Sequence, residues 1–440
     1  MPEYKSKRQD YIQEVCDQIR WRKMHTHIAE ELTDHIEDQK MAFMKAGQKE
    51  EEAEKNAIDT MGDAVMVGQQ LDRVHRPQPE WSILALLGVF IAISILSHSI
   101  IAMNASRSPF GKPDILIDYL KILPLGIGLL ALVYFTDYSI IGRYPKRLYG
   151  MVLLVCAGLC SINSLRLHGS FQHVFYFALL LMVLYAGLVY DFRTKGYKGI
   201  FFCGFAGVMT NILFVYVNSL LAARLFTSIG VILLTVAIAK GWYQVDKKRA
   251  LALVWLPIVG LVGVIFSIGG QRVRNMFMFQ DESFYNWVGL QVRTILSQAQ
   301  WIGQGEMPIH INGTIEQVLP QWYGDYSMTY FIHEFGWIVG IAVILLVSFL
   351  LIRMFLAAHN QTSVLGYLVS LSVTLTIGIE CVKFLLLNLG ISQSGSCPLP
   401  LLSAGRVSFL VNMILFGLLL SAYRNKEAVR DKNKLNHTVI

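Results

Sequence analysis

The sequence predicts an all-α, polytopic membrane protein of about ten transmembrane helices, with a small helical domain at its amino terminus. Of the 440 residues, 54% are apolar and only 16% are charged, whereas a soluble domain carries about 25% charged residues. The apolar residues gather in about ten stretches, each close to the ~20 residues that span a bilayer. A polar segment precedes the first of these stretches. A soluble multidomain enzyme, a disordered scaffold and a secreted disulfide framework are therefore disfavoured.

Residues 1–80 form the predicted amino-terminal domain, in which 17 acidic residues outnumber 12 basic ones. Ile28, Leu32, Ile36 and Met41 recur at helical spacing, which predicts a helix with one apolar face. Start and stop signals predict helices at about Lys5–Arg20, His25–Lys45, Glu50–Met61 and Ala64–Val74. The acidic surface favours a cytoplasmic protein regulator as partner over anionic lipid, which would repel it.

The predicted membrane domain covers residues 81–425, and a short cytoplasmic tail follows at 426–440. Its ten apolar segments are placed at about 82–102, 117–136, 148–164, 172–190, 198–216, 221–240, 250–268, 327–352, 363–386 and 402–422. Cytoplasmic loops carry an excess of Lys and Arg, and these residues cluster on one side, so both termini are expected in the cytoplasm. The long loop 269–326 and the shorter loop 387–401 then face outward. Since the basic residues report topology, nucleic acid is not an expected partner.

Ionisable residues in and beside the outward loops are the candidates for function. Asp325 stands just before the span at 327–352, where it is either a solvated helix N-cap or a functional carboxylate. Glu334 follows nine residues later and is expected deeper in the same span, where a carboxylate is costly unless it faces a cavity or a partner. Glu380 and Lys383 lie one turn apart in the span at 363–386, and they form either an internal ion pair or part of a site. No cysteine spacing predicts a metal site.

Three motifs in the second half of the chain resemble those of one family. The first is Gln291, followed at the matching spacing by Gly303-Gln304-Gly305. The second matches at Leu319, Pro320, Asp325, Glu334 and Gly336. The third reads Pro398-Leu399-Pro400-Leu401-Leu402-Ser403-Ala404-Gly405-Arg406. In this order, and in the expected loops of a ten-span protein, they resemble the SEDS family of bacterial membrane glycosyltransferases, the relatives of RodA, FtsW and SpoVE.

The resemblance implies an enzyme that polymerises peptidoglycan strands from lipid II at the outer face of the cytoplasmic membrane. Asp325 takes the place of the family's catalytic aspartate, and Glu334 supports it. The chemistry needs a base near the attacking hydroxyl and cations where the charge of the leaving diphosphate develops. Substrate binding is accordingly expected at Arg272, Arg274, Gln291, Lys383, Ser403 and Arg406. A class B penicillin-binding protein is the implied partner, and a divalent cation, Mg²⁺ or Mn²⁺, is left open as a cofactor.

Some positions depart from the family pattern. His333 replaces the first acid of a Glu-Glu pair, Gly324 replaces a threonine, and Arg406 ends a motif that normally reads Tyr-Gly-Gly. A frequent cation of the loop before the last span is missing, so Lys383 or Arg406 is a candidate replacement. These departures keep two other functions open: a flippase or permease for lipid-linked precursors, and a catalytically silent paralogue that senses lipid II. The amino-terminal domain resembles the helical prefix domain of some Gram-positive permeases.

Overall fold

The computed structural model describes residues 2–77, 79–105, 114–160, 172–217, 219–260, 263, 284–308, 313–391, 399–402 and 405–427. In these ranges the chain folds into helices joined by turns, and no described residue belongs to a β-strand. The predicted all-α fold class is therefore confirmed. The chain divides into two compact units, which are named the N-terminal unit (Met1–Pro79 with Arg424–Ile440) and the membrane unit (Glu80–Tyr423).

The N-terminal unit contains four helices, α1 (Pro2–Asp17), α2 (His25–Lys45), α3 (Glu50–Met61) and α4 (Ala64–Val74). Three of them have the predicted bounds, and α1 is shifted by about one turn towards the amino terminus. Ile28, Leu32 and Ile36 of α2 lie in the core of the unit, as predicted. The prediction is wrong for Met41, which is 53% exposed, because five residues after Ile36 place it about 140° away around the helix. Asp63 begins α4 as an N-cap, since its side chain accepts from the Met66 amide at 2.9 Å.

The same unit includes the segment that follows the last membrane helix. Asn425 is buried, and its side-chain oxygen accepts from Lys23 Nζ at 3.3 Å. Two residues later, Glu427 Oε2 lies 3.5 Å from Nδ1 of the His75 imidazole. The segment that directly follows α18 therefore packs into the same compact unit as α1 to α4.

The membrane unit begins with α5 (Trp81–Asn104). Its further helices are α6 (Ile115–Phe135), α7 (Ile140–Arg143), α8 (Pro145–Cys160), α9 (Gln172–Phe192), α10 (Gly196–Tyr216), α11 (Leu220–Ala239), α12 (247–260), α13 (Phe284–Ser297), α14 (Ile315–Val318), α15 (Ser327–Phe335), α16 (Trp337–His359), α17 (Val364–Asn388) and α18 (Arg406–Arg424).

Seven stretches of the described helices are long and apolar enough to cross a membrane. One of them, Phe175–Tyr216, has 42 residues and holds most of α9 and all of α10, so its length suffices for two crossings. Helices α8 and α12 cover parts of the predicted spans at 148–164 and 250–268, next to residues outside the described ranges. The polytopic membrane class is confirmed, whereas the number of ten spans stays a prediction.

One predicted span is wrong in its first third. The stretch 327–352 is not one helix but two, since α15 ends at Phe335 and α16 starts at Trp337. Gly336 between them has φ +97°, a left-handed conformation that breaks a helix and that only glycine adopts at no cost. A Cβ at this position would also lie 2.5 Å from the carbonyl oxygen of Trp301. The membrane-crossing helix is therefore α16, and α15 is a separate short helix.

A buried ion pair joins α2 to α3 in the N-terminal unit. Lys40 is only 8% exposed, and its Nζ lies 2.9 Å from Glu50 and 3.3 Å from the buried Glu54. The hydrogen bond to Glu50 raises the pKa of Lys40 and lowers the pKa of Glu50. The stabilisation from Lys40 is then lost as the pH rises through its raised pKa, and that from Glu50 is lost as the pH falls through its lowered pKa.

We expect Lys40→Met to destabilise the N-terminal unit by about 1–3 kcal/mol, because Glu54 is left buried without its partner. The difference in unfolding free energy between the variant and the unaltered protein should be largest between about pH 5 and pH 10, and it should shrink on both sides of this window. Amide hydrogen exchange of α2 and α3 in the full chain measures it. Lys45→Met, at an exposed position of the same helix, is the control and should leave exchange unchanged.

Candidate active site

Asp325 lies in a tight turn between α14 and α15. Gln321 adopts a left-handed conformation with φ +51°, and its carbonyl accepts from the amides of Gly324 at 2.9 Å and Tyr326 at 3.3 Å. Tyr326, not Asp325, occupies the N-cap position of α15. Asp325 is 7% exposed. A solvated helix cap therefore does not describe this residue, which the turn buries inside the protein.

The main chain of this turn is held by the last residue of α17. The side-chain amide of Asn388 donates to the Asp325 carbonyl at 2.8 Å, and its oxygen accepts from the Thr329 amide at 2.9 Å. Asn388 and Thr329 are both fully buried. The position of the Asp325 backbone thus depends on a residue 63 positions further along the chain.

Aromatic packing fixes the inner side of α15. The ring of Trp322 is fully buried and lies 4.8 Å, centroid to centroid, from the ring of Tyr330. The Tyr330 hydroxyl accepts from the side-chain amide of Asn104 at 2.8 Å, which ties α15 to the end of α5. Since Trp322 belongs to the turn and Tyr330 to α15, this packing also limits how far the turn can move.

Glu334 lies at the opposite end of α15 from Asp325, beside the break at Gly336. Both of its carboxylate oxygens accept from the side-chain amide of Gln304 at 3.2 Å. Its Oε1 also lies 3.1 Å from Nδ1 of the buried His333. The predicted position of Glu334 deep in a span is wrong, because the crossing helix begins only at Trp337. Polar protein groups, and not a cavity within the bilayer, therefore satisfy this carboxylate.

Backbone hydrogen bonds dock the motif 303–305 on the same junction. The Gly305 amide donates to the His333 carbonyl at 2.7 Å, and the Gly303 amide donates to the Phe335 carbonyl at 3.1 Å. Gly303 has φ +91°, which glycine adopts without strain. The first and second sequence motifs therefore form one structure, in which the glycine loop covers the end of α15.

An apolar cavity of about 260 Å³ opens beside α15. Ser327, two residues after Asp325, is part of its wall, together with side chains of α5, α16 and α17. The other lining residues are Ile93, Leu96, Ser97, Ile100, Met328, Phe331, Phe335, Val339, Val343, Phe384, Leu399 and Leu402. An apolar space therefore adjoins the turn that carries the buried carboxylate.

Three of the predicted substrate-binding residues belong to the described part of the chain, on α13, α17 and α18. Gln291 is half-buried on α13. Arg406 is the first residue of α18, and its guanidinium donates to Asp118 of α6 at 2.9 Å. Lys383 is half-buried on α17, one turn after the buried Glu380. The structure thus places Asp325 and Glu334 at the two ends of α15, while Arg406 is paired with Asp118. Outside the described residues lie Arg272, Arg274 and Ser403.

Sequence reasoning missed the buried Asn388 and the half-buried Asn104, whose side-chain amides support α15 from two different helices. The available signal was a single amide at the end of each apolar helix, where a buried polar group needs a partner. Among the residues that the structure describes, no group of three or more His, Cys, Asp and Glu is placed to hold a metal ion. The divalent cation therefore stays a prediction.

Comparisons with known proteins bear on this arrangement. The family model of the cell cycle proteins FtsW, RodA and SpoVE matches residues 206–428. One similar solved structure is described with the words "Structural coordination of polymerization and crosslinking by a peptidoglycan synthase complex". Its TM-score is 0.61 and its sequence identity is 17%, and the match covers 79% of this chain and 98% of that chain. The rod shape determining protein RodA of Thermus thermophilus is similar over the same shares, with a TM-score of 0.55 and 16% identity for a mutant and 0.53 and 17% for the unaltered protein. No curated protein matches.

We expect Gly336→Ala to destabilise the membrane unit by more than about 1 kcal/mol, because alanine is strained at a positive φ and its methyl group would meet the Trp301 carbonyl. The thermal unfolding midpoint in detergent measures this effect. Gly128→Ala is the matched control, since no atom lies within 4 Å of a Cβ there. Equal unfolding midpoints for the two variants would contradict the expectation that glycine is required at the helix break.

Proposed function

Because the chain belongs to the family of the cell cycle proteins FtsW, RodA and SpoVE, we propose that it polymerises the glycan strands of peptidoglycan from lipid II. The match confirms the resemblance drawn from the sequence motifs and supports a role in peptidoglycan synthesis. We further propose that the reaction takes place at the outer face of the cytoplasmic membrane, with both termini in the cytoplasm, as the loop charges favour.

The observation that carries the proposal is the buried Asp325, which lies two residues before Ser327 in the wall of an apolar cavity. Glycan polymerisation joins the 4-hydroxyl of one sugar to the anomeric carbon of another sugar that carries a polyprenyl diphosphate. In the proposed step Asp325 accepts the hydroxyl proton while the new carbon–oxygen bond forms. The bond from the anomeric carbon to the diphosphate breaks, and the polyprenyl diphosphate leaves with its electron pair.

The cavity beside α15 supports a lipid-linked substrate. Its walls are almost entirely aliphatic and aromatic side chains, which favour a hydrocarbon chain over a sugar. A polyprenyl chain bound there would bring its diphosphate close to Ser327 and hence to the Asp325 turn. Glu334 would act at a distance, by keeping α15 and the glycine loop together.

The charge that develops on the diphosphate needs cations. Lys383 and Arg406 are the described candidates, and Arg272 and Arg274 belong to the same proposal from the sequence. Arg406 would exchange its ion pair with Asp118 for the diphosphate. Gln291 and Ser403 are proposed to contribute hydrogen bonds, and Mg²⁺ or Mn²⁺ would supplement the cations.

A class B penicillin-binding protein is the proposed partner. An apolar groove of about 460 Å³ between α16 and α17 would accept a transmembrane helix of such a protein. Its walls include Ile352, Phe355 and Val382, which are more than half exposed. A cytoplasmic regulator is proposed to bind the N-terminal unit.

We expect Asp325→Asn to lower lipid II polymerisation at least about 100-fold, because the amide cannot accept the hydroxyl proton. Purified protein with labelled lipid II, alone and with a class B penicillin-binding protein, provides the measurement. Glu306→Gln, at an exposed acid directly after the glycine loop, is the control. Binding without polymer, or movement of lipid II across sealed liposomes without polymer, would replace this proposal by a sensor or a flippase.

Lys383→Met tests the cation on α17. We expect it to reduce polymerisation about 10-fold or more, because the leaving diphosphate loses one positive partner. Lys198→Met, at an exposed position near the start of α10, removes the same charge at the end of the membrane unit that is proposed to face the cytoplasm. If Lys383→Met retained full activity in the lipid II assay, Lys383 would have no part in substrate binding.

A further inference from the structure

Backbone hydrogen bonds close the carboxyl-terminal end of α17. The Ile391 amide donates to the Leu386 carbonyl at 2.9 Å, and the Gly390 amide donates to the Leu387 carbonyl at 3.0 Å. Gly390 has φ +67°. These are the two hydrogen bonds and the left-handed glycine of a Schellman motif, which satisfies the last carbonyls of a helix. Asn388 is therefore the last residue of a helix whose end cannot easily unwind.

A third helix, α13, packs against this end of α17. A Cβ at Gly390 would lie 2.8 Å from the Gly289 carbonyl oxygen and 2.7 Å from the Arg293 side chain, both on α13. The approach is close enough to require glycine for a second reason. Helix α13 therefore presses against the residue two positions beyond Asn388, which restricts sideways movement of the α17 end.

Every hydrogen-bonding group of the Asn388 side-chain amide has a partner. The nitrogen donates to the carbonyls of Asp325 at 2.8 Å and Phe384 at 3.0 Å. The oxygen accepts from the Thr329 amide at 2.9 Å and lies 3.1 Å from the Thr329 hydroxyl, which also donates to the Asn388 carbonyl at 2.9 Å. A primary amide has two donor hydrogens and one acceptor oxygen, and all of them are engaged.

Two of these contacts supply the N-terminal cap that α15 lacks among its own residues. The first amides of a helix have no partner inside it, and an N-cap side chain normally accepts from one of them. Tyr326, at the N-cap of α15, makes no such hydrogen bond. Asn388 accepts from Thr329, the third residue of α15, and it donates to the carbonyl just before the N-cap. It therefore caps α15 from another helix and at the same time holds Asp325.

We propose that Asn388 is the positioning residue of Asp325, so that the placement of the carboxylate is set by the capped end of α17. This inference rests on the proposed catalytic function of Asp325. Without the amide donor, the Asp325 carbonyl would lose its buried partner and the turn would shift. A misplacement of about 1 Å can reduce a rate about 100-fold.

Asn388→Asp and Asn388→Ala separate positioning from capping. Aspartate keeps an acceptor for the Thr329 amide but loses the donor to Asp325, whereas alanine loses both. We expect kcat for lipid II polymerisation to fall about 10- to 100-fold in both variants, with little change in KM, because substrate contacts stay intact. Exchange of the Thr329 amide should stay slow in Asn388→Asp and become fast in Asn388→Ala.

Asn412→Ala is the matched control. Asn412 is also fully buried, on α18, and its side-chain amide donates to Ser408, so its loss tests for general damage. An equal fall of kcat in this control, or wild-type kcat in Asn388→Asp, would overturn the positioning role. The exchange experiment needs no polymerase activity. It tests the hydrogen bonds between Asn388 and α15 even if the unaltered protein makes no polymer. In that case the proposed function fails, and the exchange rates alone decide whether Asn388 caps α15.

Discussion

The left-handed backbone at Gly336 is the constraint on which the rest of the site depends. Because the chain turns there, nine residues that would have extended a membrane-crossing helix become the independent helix α15. Each end of α15 then needs support from elsewhere. The end of α17 supplies it next to Asp325, and the glycine loop 303–305 supplies it next to Glu334. The main chain of Asp325 and the carboxylate of Glu334 are consequently held by protein groups.

Much of the helical architecture could be predicted, because apolar periodicity and capping residues act within one or two turns of the chain. Helices α2, α3 and α4 have the expected bounds, and α5, α6, α9, α10, α11, α17 and α18 lie on predicted spans. The break at Gly336 was not predicted, since the residues of α15 are apolar enough to continue a span. Its physical cause is the approach of the Trp301 carbonyl, which no local pattern reveals. The role of Asn388 was hidden for the same reason, because its partners are 59 and 63 positions away.

The departure at His333 has a physical interpretation in this setting. Two adjacent carboxylates in a largely enclosed place repel each other, so that one of them tends to hold a proton. With histidine at the first position, Glu334 instead faces an imidazole nitrogen at 3.1 Å and the amide of Gln304. The substitution therefore preserves a polar anchor for the glycine loop without a second acid. A change in sequence motif here need not mean loss of the structure that the motif builds.

The contact between the N-terminal unit and the segment after α18 has a consequence for biosynthesis. Lys23 leaves the ribosome long before its partner Asn425, which follows 402 positions later. The contacts of Lys23 and His75 with the segment after α18 can form only when the whole membrane unit has been translated. The N-terminal unit is therefore completed only after the last membrane helix has been made.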